Sequence, residues 1–306
     1  MNLSILIIDK DQTSNEHLRG LLHPHYDVTV SPTVREAREQ LKQMKFNLVL
    51  GDFEIFAEVE HNFPQEVRNL QPKAKLALIS RLDTEHYLPY LTKWRCFNVL
   101  PKLPFYNARK VLLFLENILD PFVAFGLDRY LAPDAEIRNL QITGRDQKNH
   151  ILENIINFFA DFEYEIHELY DIRLIIEEGI NNAIFHAFVD EKGIPKYTAK
   201  NFQSLEPSEE VRIAYGADAT TIGFSITDNR GILTPKTIID KMARQYFREG
   251  LFDENGRGLY LARQIAGNIL FNIEKSKRTQ IVSLFYEKRI NIPKPFCINY
   301  ILDPSG

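Results

Sequence analysis

The sequence predicts two domains in series, an α/β domain with a parallel sheet followed by an α+β domain with helices over one face of a mixed sheet. Three observations carry this. In the first hundred residues, short apolar runs alternate with amphipathic helical patterns, the signature of βαβ units. In the second half, long helical patterns precede an alternating VRIAY…IGFSIT hairpin pattern and a closing RTQIVSLFYEK strand. A length of 306 residues also suits about two domains, each able to bury its own core.

The strand-like runs of the first half are LSILIID, DVTVS, NLVLGD, KLALIS and FNVL. Between them lie EHLRGLL, VREAREQLKQM, FPQEVRNLQ and EHYLPYLTKW, whose apolar residues recur at helical spacing. In parallel sheets functional groups gather beyond the carboxyl ends of the strands. Those ends carry Asp9 and Asp11, then Asp52, then Ser80, then Lys102. Singly each is an ordinary loop residue. Together they suit phosphoryl transfer to a carboxylate: acids hold Mg2+, one carboxylate attacks phosphorus, and a lysine and a hydroxyl neutralise the charge.

On the stretches IIDKD, FNLVLGD, ALIS and VLPKLPF, residues 1 to about 120 resemble a two-component receiver domain, of flavodoxin-like, doubly wound fold. The resemblance implies Asp52 as phosphoacceptor, Asp9, Asp11 and Asp52 as the Mg2+ pocket, and Ser80 and Lys102 as switch hydroxyl and lysine. It also implies a cognate sensor histidine kinase as partner. Four positions depart from the pattern: Lys10 stands where a second acid is usual, Arg81 where a small residue follows the hydroxyl, Val99 at the switch-aromatic position, and Leu103 between the lysine and proline. A lysine in the acid pocket could serve as a built-in counter-ion.

ARKVLLFLENIL reads as the last helix of this domain, closed by Asp120-Pro121, and FVAFGLDRYLAPD as a short linker helix ended near Pro133. The predicted boundaries are 1–120, a helical linker at 121–135, a second domain at 136–290 and a tail at 291–306. The second domain opens with a strand, EIRNLQITG, and a helix, KNHILENIINFFADF.

The next helix contains IIEEGINNAIFHAF. Ile176, Ile180, Ala183, Ile184 and Ala187 form one apolar stripe. Glu178, Asn182 and His186 recur every four residues on the other side, with Glu177 and Asn181 beside them. Asparagine is a mediocre helix former, so two in a row favour a task over mere helix making, although a solvated face accounts for any one of them. Residues 189–210 are polar and read as a loop or partly ordered insertion. A hairpin with a Gly-Ala-Asp turn ends at Asp228, the helix KTIIDKMARQYF follows, and ENGRGLYLARQI is a glycine-bearing loop entering a helix. The tail INIPKPFCINYILDPSG is read as an added edge strand or a packing segment.

Glu178-x3-Asn182-x3-His186, then Asp228 at a strand end, then NGRGL at a helix start, each have a rationale for a nucleotide. Asparagine and glutamate one turn apart can hold Mg2+ and orient a hydroxyl. A buried aspartate can accept from an adenine amino group, and glycines at a helix N-terminus admit phosphates. In this order they resemble the histidine-kinase-like (Bergerat, GHKL) ATPase fold, most closely its bacterial anti-sigma-factor serine kinases, over about residues 136 to 288. The resemblance implies Glu178 as general base, Asn182 as Mg2+ ligand, Asp228 as adenine reader, Gly231, Gly256 and Gly258 with Arg257 around the nucleotide, and His186 as a packing residue. Arg230 departs from the pattern at a position usually held by glycine, where it could fill nucleotide space or supply a cation.

The implied cofactors are Mg2+ and ATP, and the implied partners an antagonist protein or a sigma factor, with a homodimer compatible. Two functions stay open: a receiver-controlled serine/threonine protein kinase, and a catalytically inactive receiver-gated binding module. A net charge of -4 without basic blocks argues against a nucleic-acid surface. Two distant cysteines and no long apolar span point to a cytoplasmic protein away from membranes.

Overall fold

The computed structural model describes residues 3–58, 62–103, 106–162, 166–247, 257–286 and 293–302, apart from the side chains of residues 166–168 and 257. The chain divides into two compact units, residues 1–123 with 291–297, and residues 124–290 with 298–306.

The first unit alternates strand and helix: β1 (Ser4–Ile8), α1 (Gln12–Leu22), β2 (Asp27–Ser31), α2 (Val34–Gln43), β3 (Leu48–Asp52), α3 (Phe53–Glu58), α4 (Phe63–Leu70), β4 (Lys75–Ser80), α5 (Thr84–Trp94), β5 (Asn98–Pro101) and α6 (Ala108–Leu119). β2, β1, β3, β4 and β5 lie side by side in that order, all parallel. This is the doubly wound, flavodoxin-type order, whose ligand crevice opens where the order reverses between β1 and β3. β1 and β3 are buried almost throughout, which is why they read as continuous apolar runs rather than alternating ones. Asp11, Thr33 and Asn107 cap α1, α2 and α6 with side-chain oxygens. Phe53, Tyr90 and the sole tryptophan, Trp94, form an aromatic cluster beside the end of β3.

The second unit contains β6 (Glu136–Ile142), α7 (Arg145–Ala160), α8 (Ile166–Phe185), β7 (Val211–Ala217), β8 (Thr221–Asp228), α9 (Pro235–Tyr246), α10 (Arg257–Ile265), β9 (Asn268–Glu274) and β10 (Arg278–Tyr286). The strands β9, β10, β8, β7 and β6 form an antiparallel sheet in that order. The apolar stripe of α8 is buried as its periodicity requires, Ile176, Ile180 and Ile184 completely.

Three expectations are corrected. The segment after α6 is a four-residue 3-10 helix, Pro121–Ala124, followed by turns rather than a linker helix. Side chains of the second unit satisfy its backbone instead: Asn272 Nδ2 donates to the Ala124 carbonyl (2.6 Å), the Gly126 N–H to Gln280 Oε1 (3.1 Å), and the Ala132 N–H to Asp218 Oδ2 (2.9 Å). The hairpin turn falls at residues 218–220, with Gly216 inside β7, because the Asp218 carboxylate accepts the N–H groups of Thr220 and Thr221, both at 2.9 Å. His186 lies one residue past the end of α8 and is exposed, so it is not a packing residue.

The tail forms β11 (Phe296–Ile301). In the first unit Phe296 and Cys297 pair antiparallel with Val99 and Asn98. In the second, Asn299 Nδ2 donates to Asn272 Oδ1 (2.8 Å) and the Lys275 N–H to the Ile301 carbonyl (3.0 Å). Among the described residues no helix is long and apolar enough to cross a membrane.

Candidate functional site

In the first unit Asp9 follows β1, Asp52 ends β3 and Lys102 follows β5, so the parallel sheet delivers all three side chains to one end. Asp9 and Asp52 are fully buried, and the Lys102 side chain is 4% exposed. Lys102 Nζ donates to Asp9 Oδ1 (2.8 Å) and also to Asp52 Oδ2. Asp9 Oδ1 accepts the Asp11 N–H (2.9 Å), and Asp52 Oδ1 accepts the Ile55 N–H (2.9 Å). Burial pulls the lysine's affinity for its proton down, but the two carboxylates outweigh it and hold the ammonium above the ordinary lysine range. Burial pushes Asp9 above the ordinary aspartate range despite Lys102.

Asp11 and Ser80 do not join this triad. Asp11 Oδ1 accepts the Ser14 N–H (3.1 Å) and its other oxygen pairs with Arg81. That amide bond first, with the guanidinium adding to it, keeps Asp11 below the usual range. Ser80 Oγ accepts the Leu82 N–H (3.0 Å). Lys10 is exposed, so the buried counter-ion is Lys102 and not the lysine within the acid motif. Val99 is core, in β5.

These residues do not fit a divalent cation. Mg2+ is held through one or two carboxylates, whereas each carboxylate here already faces an ammonium or a guanidinium through one of its oxygens. No group of three or more His, Cys, Asp or Glu is arranged for a metal among the described residues.

In the second unit Glu178 and Asn182 lie one turn apart on α8, both half-buried. Neither side chain makes a hydrogen bond or ion pair among the described residues, unlike the neighbouring Glu177 and Asn181, which Lys148 of α7 holds at 3.3 and 2.7 Å. Burial first, then the charge of Glu177, pushes the Glu178 carboxyl above the usual glutamate range, with Lys148 opposing. Gly258, in the first turn of α10, faces them. A Cβ there would stand 2.8 Å from both Cβ and Oε2 of Glu178, so only glycine brings the two helices this close. A cavity of about 20 Å3, room for roughly one water, lies behind Glu178, Asn182 and Gly258 against Phe224 and Ile226.

Asp228 ends β8, 7% exposed. Its Oδ1 accepts the N–H groups of Arg230 (2.9 Å) and Gly231 (3.1 Å), and Thr279 stands opposite it on β10. Burial raises the carboxyl above the ordinary range, and these donors offset part of the rise. Gly231 has φ +60°. Its missing Cβ lets it lie against the backbone of the β9–β10 turn, where an added Cβ would meet the Glu274 carbonyl oxygen at 2.2 Å. The guanidinium of Arg230 lies over Phe188, 5.5 Å from the ring centroid, and 3.7 Å from Glu209 Oε1, where the segment 189–210 draws it. Gly256 and the Arg257 side chain lie outside the described residues.

Three contributors were not legible in the sequence. Thr279 is the cross-strand partner of Asp228, a pairing that no local spacing reveals. Lys148 sits in an ordinary helical pattern. Glu209, fully buried at its side chain, binds Lys196 (2.9 Å), Tyr197 (2.5 Å) and Arg230 from within a stretch that reads as plain polar loop.

The chemistry of the second donor set fits a magnesium-bound nucleotide: an amide and a carboxylate on one helix face with no hydrogen bond or ion pair among the described residues, a glycine in the first turn of α10, and a buried aspartate opposite a threonine.

No protein-family model matches the chain, and no curated protein matches it. Among solved structures, a response regulator from Burkholderia pseudomallei with a phosphorylated aspartic acid, calcium ion and citrate is 20% identical over 40% of this chain and 72% of its own, with a TM-score of 0.34. A CheY-like receiver domain protein from Methanospirillum hungatei JF-1 is 20% identical over 41% of this chain and all of its own, TM-score 0.36. The signal receiver domain of an HD domain-containing protein from Pseudomonas fluorescens Pf-5 is 17% identical, again over 41% and 100%, TM-score 0.36. These likenesses carry no functional argument.

Proposed function

We propose that the chain is an atypical response regulator in which a receiver-like first unit controls a second unit of the anti-sigma serine/threonine kinase type. The observation that carries this is the pair Glu178 and Asn182, half-buried, one turn apart and without a hydrogen bond or ion pair among the described residues, facing Gly258 at the start of α10. The strand-end set Asp9, Asp52 and Lys102 supports the receiver reading, with Asp52 as its phosphoacceptor.

In this reading Asp228, its charge steadied by Thr279 and two loop amides, accepts a hydrogen bond from the adenine amino group. Asn182 would hold Mg2+, which when bound neutralises phosphate charge. Gly256 and Gly258, with Arg257, would lie along the phosphates. Glu178 takes the proton of the substrate hydroxyl as its oxygen bonds to the γ-phosphorus and the bond from that phosphorus to the β–γ bridging oxygen breaks, releasing ADP. Its raised affinity for protons, set by burial and Glu177, makes it a stronger base than an ordinary glutamate. The protein substrate is a small antagonist, the readout passes through a sigma factor, and a sensor histidine kinase acts upstream on Asp52.

A second reading, a catalytically inactive receiver-gated binding module, is favoured by the small size of the cavity behind Glu178 and Asn182. Calorimetric titration with Mg-ATP separates the two. The kinase reading expects saturable binding that Asn182→Ala abolishes. Glu178→Ala is expected to keep binding and lose about 10²–10⁴-fold in transfer to a protein hydroxyl. Absence of binding by the unsubstituted protein would favour the module.

A further inference from the structure

We propose that the acid pocket of the first unit works without a divalent cation, its charge balanced by the Lys102 ammonium lodged between Asp9 and Asp52. This holds whether or not the second unit transfers phosphate.

Lys102 Nζ touches both carboxylates at once, and all three side chains are buried. The ammonium therefore already supplies the positive charge that both acids would otherwise offer to a cation. The remaining acid, Asp11, is oriented by the Ser14 amide and Arg81. One carboxylate oxygen of the triad, Asp9 Oδ2, lacks a partner among the described residues. Mg2+ fills most of its six positions with water but is held through one or two carboxylates, and both carboxylates here already face the ammonium. An entering ion would also displace a buried ammonium that has no second anionic site within the triad. The loop from Asp9 to Asp11 carries Lys10, whose positive charge repels a cation where an acid would attract it.

Trp94 reports on this pocket. It is the only tryptophan, is buried, and its ring lies 5.7 Å from that of Phe53, the residue after Asp52. Titrating the full chain with magnesium chloride, against sodium chloride of matched ionic strength, is expected to leave Trp94 emission unchanged. Lys102→Gln, which frees both carboxylates, is expected to gain a saturable response. If that variant does not fold, the unsubstituted protein still decides the matter through Mn2+ in NMR. Retention of the Asp9 and Asp52 amide signals supports a metal-free pocket, and their selective broadening overturns it. A saturable Trp94 response to Mg2+ that Asp52→Asn removes would overturn it equally. A response that survives Asp52→Asn places the ion outside the pocket and leaves the proposal standing.

Discussion

Lys102→Ala destabilises the first unit by about 3–5 kcal/mol, the cost typical of removing one partner from a buried ion pair. The magnitude follows from what remains. Asp9 and Asp52 are fully buried, and the ammonium is the only cationic partner recorded for either among the described residues. Without it two carboxylates share a site cut off from water, where one of them must take up a proton or the pocket must open. Total domain stability is only about 5–15 kcal/mol, so the loss is a large fraction of the whole. Urea denaturation followed by Trp94 emission measures it. Combining Lys102→Met with Asp9→Asn and Asp52→Asn is expected to recover most of the loss, because replacing every charge removes the desolvation cost together with the attraction. Since the ammonium's folded-state pKa is raised, its stabilisation is fully present below the unfolded lysine value and disappears as pH rises through the folded one. The lock therefore operates throughout the neutral range. A loss under about 1 kcal/mol for Lys102→Ala would show that water reaches the carboxylates freely.

Gly231→Ala is the second substitution with a large expected effect, about 3–5 kcal/mol in the second unit and at the upper end for single changes. Two costs combine. A φ of +60° puts any Cβ in the left-handed region, at about 1–2 kcal/mol. The added Cβ would also stand 2.2 Å from the Glu274 carbonyl oxygen and under 3 Å from the backbone nitrogens of Lys277 and Arg278. These are backbone atoms of a hairpin and cannot swing aside, so the 229–231 loop must move, taking with it the two N–H groups that hold Asp228. Gly193 supplies the control: its φ is +77° and a Cβ there meets open space, so Gly193→Ala is expected to cost only the conformational part. Calorimetric melting of both variants distinguishes them. Equal losses would mean that the turn yields and that contact at Gly231 adds nothing.

Much of this architecture was legible from local pattern. Parallel strands buried on both faces leave apolar runs such as LVLGD, and α8 shows its apolar stripe because one side of a helix must meet a sheet. Strand-end position marked Asp9, Asp52 and Lys102, since a parallel sheet gathers its functional groups at one end. The linker segment has apolar spacing that suits a helix, while the side chains that bond its backbone, Asn272, Gln280 and Asp218, come from far along the chain.

The sequence by itself determined which elements form, in what order, and which polar residues stand at their ends, because these follow from neighbours a few positions apart. The tertiary structure alone decided which of those residues meet. Lys102 reaches Asp9 across 93 positions, Arg81 claims Asp11, Thr279 stands opposite Asp228, and Arg230 lies over Phe188 instead of beside the aspartate. The physical reason is that strand pairing and helix packing set these distances, and an ammonium goes to whichever buried carboxylates lie within reach, however far away they are in the chain.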